Sequence, residues 1–168
     1  MKARDHNFST RTTGQAAEAG AQGLNNPQAG RDDFPSLPEV DRCLRKIAPF
    51  LPQDEADDIT AICCTSICRA EYRRAVLAMA ERIADMPKTY DTDGQGQDAI
   101  AHLHYTCGDW HWYITERDRE GWGGEQAFGL TVGHERELGY ISIAEIAATA
   151  GAELDLFWTP KPLREIQE

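Results

Sequence analysis

The sequence has no run of about 18 apolar residues, the length that a membrane-spanning helix requires. The opening stretch, MKARDHNFSTRTTGQAAEAGAQG, carries basic side chains but no apolar core of the kind found in a secretory signal peptide. We therefore expect no membrane contact, and we predict a cytoplasmic location.

Basic residues are also scarce. The 168 residues include 17 Lys and Arg against 28 Asp and Glu, a net charge of −11. The imbalance is local, because residues 1–83 hold 12 acids and 11 bases whereas residues 84–168 hold 16 acids and 6 bases. A surface of that charge repels nucleic acid, so we expect no direct nucleic-acid binding. A basic protein, such as a nuclease or a nucleoprotein complex, is the predicted partner.

No motif for a specific reaction is present. The glycine-rich stretch GWGGEQAFG (121–129) lacks the Lys-Ser/Thr of a phosphate loop, and no Ser-His-Asp or Cys-His arrangement has a recognisable local context. The cysteines are odd in number and scattered, which favours free thiols or buried apolar groups over a disulfide framework: Cys43, Cys63, Cys64, Cys68 and Cys107. We predict no cofactor and favour a protein that is not an enzyme.

Composition divides the chain into three parts. Residues 1–36 are rich in small and polar side chains and are predicted to be a disordered tail. Residues 37–86 show helical spacing of apolar residues, with Arg69, Arg73 and Arg74 on or beside the polar side. Residues 87–168 form an acidic region of short alternating stretches. The predicted fold is α+β, with N-terminal helices packed on a small, mainly antiparallel sheet, and residues 37–168 as one globular unit.

The acidic region is predicted to begin its sheet with a hairpin. Strands AIAHLHYTC and WHWYITE flank Gly108-Asp109, a two-residue connection that suits a type II′ turn. QAFGLTV and LGYISI are the next two strands. Ser142, with Glu145 three residues later, is the predicted cap of a helix over IAEIAATA that ends at Gly151. ELDLFW is a last short strand.

The hairpin register places two different sets of side chains on the two faces of the sheet. One face is apolar and is the predicted floor under the helices: Leu103, Tyr105, Cys107, Trp110, Trp112 and Ile114. The other carries His102, His104, Thr106, His111, Tyr113 and Thr115, and is predicted to be solvated. Three histidines at this spacing also suit a zinc site with an open position. No carboxylate at strand spacing orients these rings, so no metal ligand is assigned.

The candidate binding residues are therefore the polar and aromatic groups of the predicted solvated surface: His104, His111, Tyr113, Glu116, Glu135 and Glu137. No catalytic residue is assigned, because paired carboxylates need a pocket that shifts their pKa.

Five stretches in the second half share an order and spacing with a known family: MPKTYDTDG (86–94), WHWYITE (110–116), FGL (128–130), ELGYISIAEI (137–146) and DLFWTPKPLREI (155–166). This half resembles a family of small domains of unknown function carried by bacterial plasmids, phages and integrative elements. The resemblance implies a small α+β domain, a bacterial host cytoplasm, and a role beside antirestriction and replication genes; one relative is described as an anti-CRISPR of a Cas9-type effector. The preceding 85 residues and the outer-face histidines depart from the family pattern.

Three functions follow as hypotheses. The first is a mobile-element protein that binds and inhibits a host defence complex, in an anti-CRISPR-like or antirestriction-like way without catalysis. The second is an accessory or regulatory interaction module of a plasmid or phage. The third is a metal-dependent enzyme that uses the histidine-bearing face.

Overall fold

The computed structural model describes residues 34–167. The helices are α1 (Leu37–Ile47), α2 (Glu55–Thr65), α3 (Arg69–Asp85) and α4 (Ile143–Ala147). The strands are β1 (Ile100–Ala101), β2 (Leu103–Cys107), β3 (Trp110–Glu116), β4 (Ala127–Val132), β5 (Arg136–Ile141), β6 (Glu153–Leu154) and β7 (Lys161–Pro162). Single 3₁₀ turns occupy Ala48–Phe50, Gly96–Asp98 and Leu163–Glu165. All but the last three residues of the predicted disordered tail lie outside the described range.

Helix α1 begins at a capping box formed by Ser36 and Glu39. The Ser36 backbone N–H donates to the Glu39 carboxylate at 2.9 Å, and the Ser36 hydroxyl donates to the same oxygen at 2.6 Å. Pro38 occupies the first turn, where its missing N–H is not needed. These bonds to Ser36 lower the pKa of Glu39, so the carboxylate that caps the helix is ionised at neutral pH.

The sheet is antiparallel throughout. Its five strands lie in the order β5-β4-β3-β2-β6, and β1 and β7 form a separate two-stranded pair. Among the described strands, β5 and the two-residue β6 are therefore the edges of the larger sheet. The predicted α+β class, with helices N-terminal to an antiparallel sheet, is confirmed.

The predicted hairpin register is also confirmed. Cys107 pairs with Trp110, and each earlier residue of β2 pairs with the next residue of β3. Gly108 has a φ of +59°, whereas Asp109 does not have a positive φ. A type I′ turn needs a positive φ at both positions, so the pattern fits the type II′ turn.

The helices cover one face of the sheet, as predicted. Leu103, Tyr105 and Ile114 are fully buried there with Val76 and Met79 of α3. The Tyr105 hydroxyl donates at 2.8 Å to the carbonyl of Phe50, in the turn after α1. This bond ties the floor of the core to the helical layer.

The opposite face is not solvated, and the prediction that it faces water is wrong. A second apolar cluster covers it, formed by Tyr113 and Leu130 from the sheet and by Leu163 and Ile166 from the C-terminal segment, with Trp158 packed against them. Tyr113 and Thr115 are almost completely buried. The segment after β6 therefore covers the second face of the sheet, and we call it the C-terminal cover.

The three predicted histidines do not share a face. Ala101 belongs to the second cluster and Leu103 to the first, so the strand alternation breaks at His102, where β1 leaves the larger sheet. Burial and then the Arg82 guanidinium of α3 lower the pKa of His102. His102 thus lies towards the helical layer, whereas His104 and His111 lie on the covered face.

Other local predictions need smaller corrections. Trp110 is 41% exposed instead of buried, because it lies at the end of the hairpin. Its ring stacks on Trp112, with ring centroids 6.2 Å apart. Of ELDLFW, only Glu153–Leu154 is a strand. Helix α4 spans five residues and is shorter than predicted, although Ser142 caps it by accepting the Glu145 N–H at 3.2 Å.

Arg73 is buried, not on the polar side. Its Nε donates at 2.8 Å to the Cys63 carbonyl near the end of α2, and an Nη donates at 3.0 Å to the Pro35 carbonyl. Its guanidinium also lies over the Phe34 ring, 4.4 Å from the centroid. One side chain therefore binds α2, α3 and the segment before α1 together.

No helix in the described part of the chain has the length and apolarity to cross a membrane.

Candidate functional site

A cavity of about 350 Å³ lies between the loop after α3 and the outer side of β3, β4 and β5. We call it the tyrosine pocket. Its lining combines aromatic rings, carboxylates and hydroxyls: Thr89, Tyr90, Thr92, Asp93, Gly94, Gly96, Ala99, Thr115, Glu116, Phe128, Leu138, Tyr140 and Leu163.

A β-bulge points Glu116 into this pocket. Ile114 pairs with Gly129, but Glu116 pairs with Phe128, so Thr115 and Glu116 together oppose one residue of β4. The extra residue moves Glu116 onto the face that Phe128 lines, instead of the helix-covered face that strict alternation would give it. Bulges are common beside functional sites because they redirect a side chain in this way.

Glu116 organises the loop that forms one wall. Its carboxylate accepts the Tyr90 N–H at 2.9 Å and both the N–H and the hydroxyl of Thr92 at 2.5 Å. The side chain is 3% exposed. The predicted binding residue Glu116 is therefore a buried carboxylate of the pocket, and not part of a solvated surface.

Two tyrosines stand at the pocket. Tyr90 is 65% exposed and has a φ of +77°, and it is the one described non-glycine residue with a positive φ. The Tyr140 hydroxyl donates to the Tyr90 hydroxyl at 3.0 Å. That hydrogen bond is the main reason why the pKa of Tyr140 is raised. Desolvation, and then the charges of Tyr90, Glu116 and Asp93, add to it. An uncommon backbone conformation at an aromatic residue is a frequent feature of binding loops.

The pocket's charge is of one sign. Glu116 and Asp93 are acids, and no Lys, Arg or His belongs to the lining residues. The nearby Arg119 is not a lining residue, and it donates to the Thr89 carbonyl at 3.0 Å and to Asp91 at 2.5 Å. The pocket thus offers aromatic faces and negative charge to a ligand.

A second group, the histidine stack, consists of His104, His111, Tyr113 and Trp158. The rings of His104 and Tyr113 are parallel within 2° with centroids 4.6 Å apart, and Trp158 packs 4.8 Å from His104. Nε2 of His104 lies 3.1 Å from Nδ1 of His111, and Nδ1 of His104 lies 3.4 Å from an Asp155 oxygen.

The histidine stack has the geometry of a structural network. His104 is 9% exposed and lies under the C-terminal cover, which leaves little room for a substrate. With His102 on the other side of the sheet, the three-histidine set does not form. In residues 34–167, no group of three or more His, Cys, Asp or Glu side chains is arranged to hold a metal ion.

Glu135 and Glu137 lie apart from both groups, exposed at the turn between β4 and β5 and on β5 itself. Most of the basic side chains in the acidic region contact other groups and do not neutralise Glu135 and Glu137. Arg119 and Arg164 pair with Asp91 and Asp98, Arg136 donates to the Ile166 carbonyl, and Lys161 lies over the Trp158 ring.

A further group of acids flanks β6. Glu55 of α2 accepts the Leu154 N–H at 3.0 Å and lies near Glu153, Asp155 and Asp58. Burial, followed by these like charges, raises the pKa of Glu55 to about 7, against the opposing effect of the Leu154 hydrogen bond.

The structure therefore distributes the six candidate residues over three places. His104, His111 and Tyr113 come together in the histidine stack, Glu116 lies in the tyrosine pocket, and Glu135 and Glu137 are on the open surface. Sequence reasoning missed Tyr90, Asp93 and Tyr140. The alternation of Leu138 and Tyr140 in β5, two large side chains on one face of an edge strand, was the signal that could have identified part of the pocket.

Comparisons with protein-family models, with curated proteins and with solved structures gave no match.

Proposed function

We propose that this chain is an acidic, non-catalytic binding protein of a bacterial mobile element, and that it antagonises a host defence complex by occupying a basic protein surface. The observation that carries the proposal is the concentration of carboxylates in residues 84–168, which have 16 acids and 6 bases. Most of the described acids in this region are exposed. Carboxylates displayed in this way offer a basic nucleic-acid channel the negative charge that it otherwise receives from phosphates. The resemblance of residues 86–168 to the mobile-element family supports the defence target.

The bases of the acidic region support the same conclusion. Arg119, Arg136, Lys161 and Arg164 are each held by an acid, a carbonyl or a ring within the domain. Glu135 and Glu137, at the edge of the sheet, are both exposed. Such charges accelerate association with a basic partner and make it sensitive to salt.

The test is binding to, and inhibition of, purified defence nucleases of the Cas9 and restriction types, at low and at high salt. We expect one of them to be retained and its DNA cleavage to be reduced at low salt, and both effects to weaken as salt rises. The variant Glu135→Gln/Glu137→Gln should bind more weakly. Its matched control, Glu71→Gln/Glu81→Gln, removes the same charge from exposed positions of α3 and should bind as the wild type does. Equal loss in both double variants, or cleavage unaffected at every salt concentration, contradicts the proposal.

A second candidate function, an accessory interaction module, is favoured by one feature of the helical layer. Ile67, in the turn between α2 and α3, is 98% exposed, and Cys68, the next residue in the chain, is also exposed. A fully exposed isoleucine suits a contact with a partner or with a second copy. Light scattering of the wild type and of Ile67→Ser tests it: a wild-type dimer that the substitution dissociates supports this function, and a wild-type monomer contradicts self-association.

A further inference from the structure

The tyrosine pocket brings aromatic and acidic side chains together in one cavity. We propose that it is the receptor for a guanidinium group, presented as an arginine side chain by the basic partner. The inference rests on the proposed function, because it names the chemical group through which that partner is recognised.

The aromatic lining of the tyrosine pocket is suited to bind a cation. Tyr90, Phe128 and Tyr140 all line the pocket, and the Phe128 and Tyr140 rings meet edge to face at 78° with centroids 5.6 Å apart. Rings arranged around a cavity provide faces on which a cation is attracted by the ring quadrupole. Guanidinium is weakly hydrated and planar, so it is more easily transferred onto an aromatic face than the compact ammonium of lysine is.

The carboxylates of the tyrosine pocket favour a positively charged ligand. Glu116 is buried and already accepts three hydrogen bonds from the loop, so it contributes negative charge to the pocket and not a direct hydrogen bond to a ligand. Asp93 is exposed at the pocket and adds a second negative charge. With no base among the lining residues, a bound guanidinium would supply the missing counter-charge.

The volume of the tyrosine pocket suits a ligand of the size of one side chain. A volume of about 350 Å³ lies at the small end of the range for ligand pockets. A single long side chain fits in it, and the acidic lining disfavours a phosphate-bearing ligand such as a nucleotide. The site also lies beside β5, at an edge of the sheet, where a partner surface can reach it.

The direct test is a titration of the full chain with acetyl-arginine amide, followed by backbone amide NMR shifts at Gly94 and Gly96. Acetyl-citrulline amide, which is nearly the same shape but neutral, is the ligand control. We expect shifts with the arginine probe only. Tyr140→Leu should weaken binding about fivefold or more, and Tyr140→Phe, which keeps the ring, should retain most of it. Phe157→Leu changes an exposed ring outside the pocket and should have no effect.

Asp93→Asn tests the electrostatic part without disturbing the loop bonds of Glu116, and weaker binding is expected. Equal shifts with both probes, or no loss in Tyr140→Leu, would overturn the inference.

Competition separates this inference from the proposed function. If a defence nuclease is retained and excess acetyl-arginine amide releases it while acetyl-citrulline amide does not, an arginine of the partner occupies the pocket. If the nuclease is retained but neither probe nor Tyr140→Leu affects it, the proposed function stands and the pocket inference fails. If the arginine probe binds the pocket but no nuclease is retained, the pocket recognises a free guanidinium compound, and both the arginine of a protein partner and the proposed function are overturned.

Discussion

Glu55 illustrates how a single side chain responds to its surroundings. Because its pKa in the folded protein is about 7, against 4.5 for an ordinary glutamate, the folded state binds more protons than the unfolded state between those values. The free energy of unfolding therefore falls as pH rises from about 4.5 to about 7. His102 has the opposite effect, because burial lowers its pKa in the folded protein. Its contribution to the free energy of unfolding is therefore lost as pH falls below 6.5, the ordinary pKa of histidine.

Glu55→Gln should remove the first effect while keeping an acceptor for the Leu154 N–H. We expect the variant to match the wild type at about pH 4 and to be more stable at about pH 8, because only the wild type then carries the half-buried charge. Urea unfolding of both proteins at both pH values measures this. Glu71→Gln, at an exposed position, should show no such growth with pH, and a Glu55→Gln advantage that is the same at both values would contradict the assignment.

Gly129 is a position where the backbone itself excludes a side chain. A Cβ there would overlap the Tyr113 carbonyl oxygen and come within 3.0 Å of the Ile114 Cα, whereas at Gly139, its partner on β5, nothing lies within 4 Å. Gly129→Ala should therefore destabilise the protein by about 3 kcal/mol, and Gly139→Ala should change stability by less than about 0.5 kcal/mol. Thermal unfolding of the pair checks this, and similar melting temperatures would be inconsistent with the strand packing.

At the scale of elements, the C-terminal cover completes the fold. Leu163 is fully buried against the second face of the sheet. Its 3₁₀ turn follows β7, which pairs with β1, so the cover is anchored at a distant point of the chain. Burial of this kind, and not local helical propensity, holds a three-residue turn in place.

Leu163→Ala should cost about 2–5 kcal/mol, because it removes apolar contacts and leaves a cavity under the cover. Leu37→Ala, at a 45% exposed leucine near the start of α1, is the matched control and should cost far less. Denaturant unfolding followed by tryptophan fluorescence provides the measurement. Equal costs would mean that the cover contributes no more than an exposed helix residue does.

These elements also explain how far the sequence predicts the structure. The hairpin register was predictable because a two-residue turn with Gly108 first permits one pairing of β2 with β3. The C-terminal cover was not predictable, since Leu163 and Ile166 provide a single i, i+3 pair, Pro160 and Pro162 separate them from Trp158, and none of these residues indicates which surface it buries.

The site residues were the least predictable part. Glu116 reaches the pocket through a bulge, and Tyr90 takes a φ that its residue type does not favour. Neither feature has a reliable signal in one sequence, because both depend on tertiary contacts that supply the Glu116 hydrogen bonds.

At the scale of the whole molecule, the net charge of −11 opposes the folded state through self-repulsion. Added salt shortens the range of this repulsion, from about 30 Å at 0.01 M to about 8 Å at 0.15 M. We therefore expect the melting temperature at neutral pH to rise with moderate salt. Glu135→Gln/Glu137→Gln should melt higher than the wild type at low salt, and the difference should shrink at high salt. A melting temperature that does not respond to salt in either protein would contradict a stability limited by charge.

The open edge at β5 has a consequence for the protein in concentrated solution. A six-residue edge strand is a template on which the same strand of another molecule can stack, and this is how many sheet proteins begin to aggregate. Arg136 and Glu137 place charge on this edge, and the other edge, β6, is only two residues long. The net charge of −11 is expected to oppose such stacking between free molecules. A partner that neutralises Glu135 and Glu137 must also shield the edge sterically, and a small polycation that neutralises without shielding is expected to precipitate the protein.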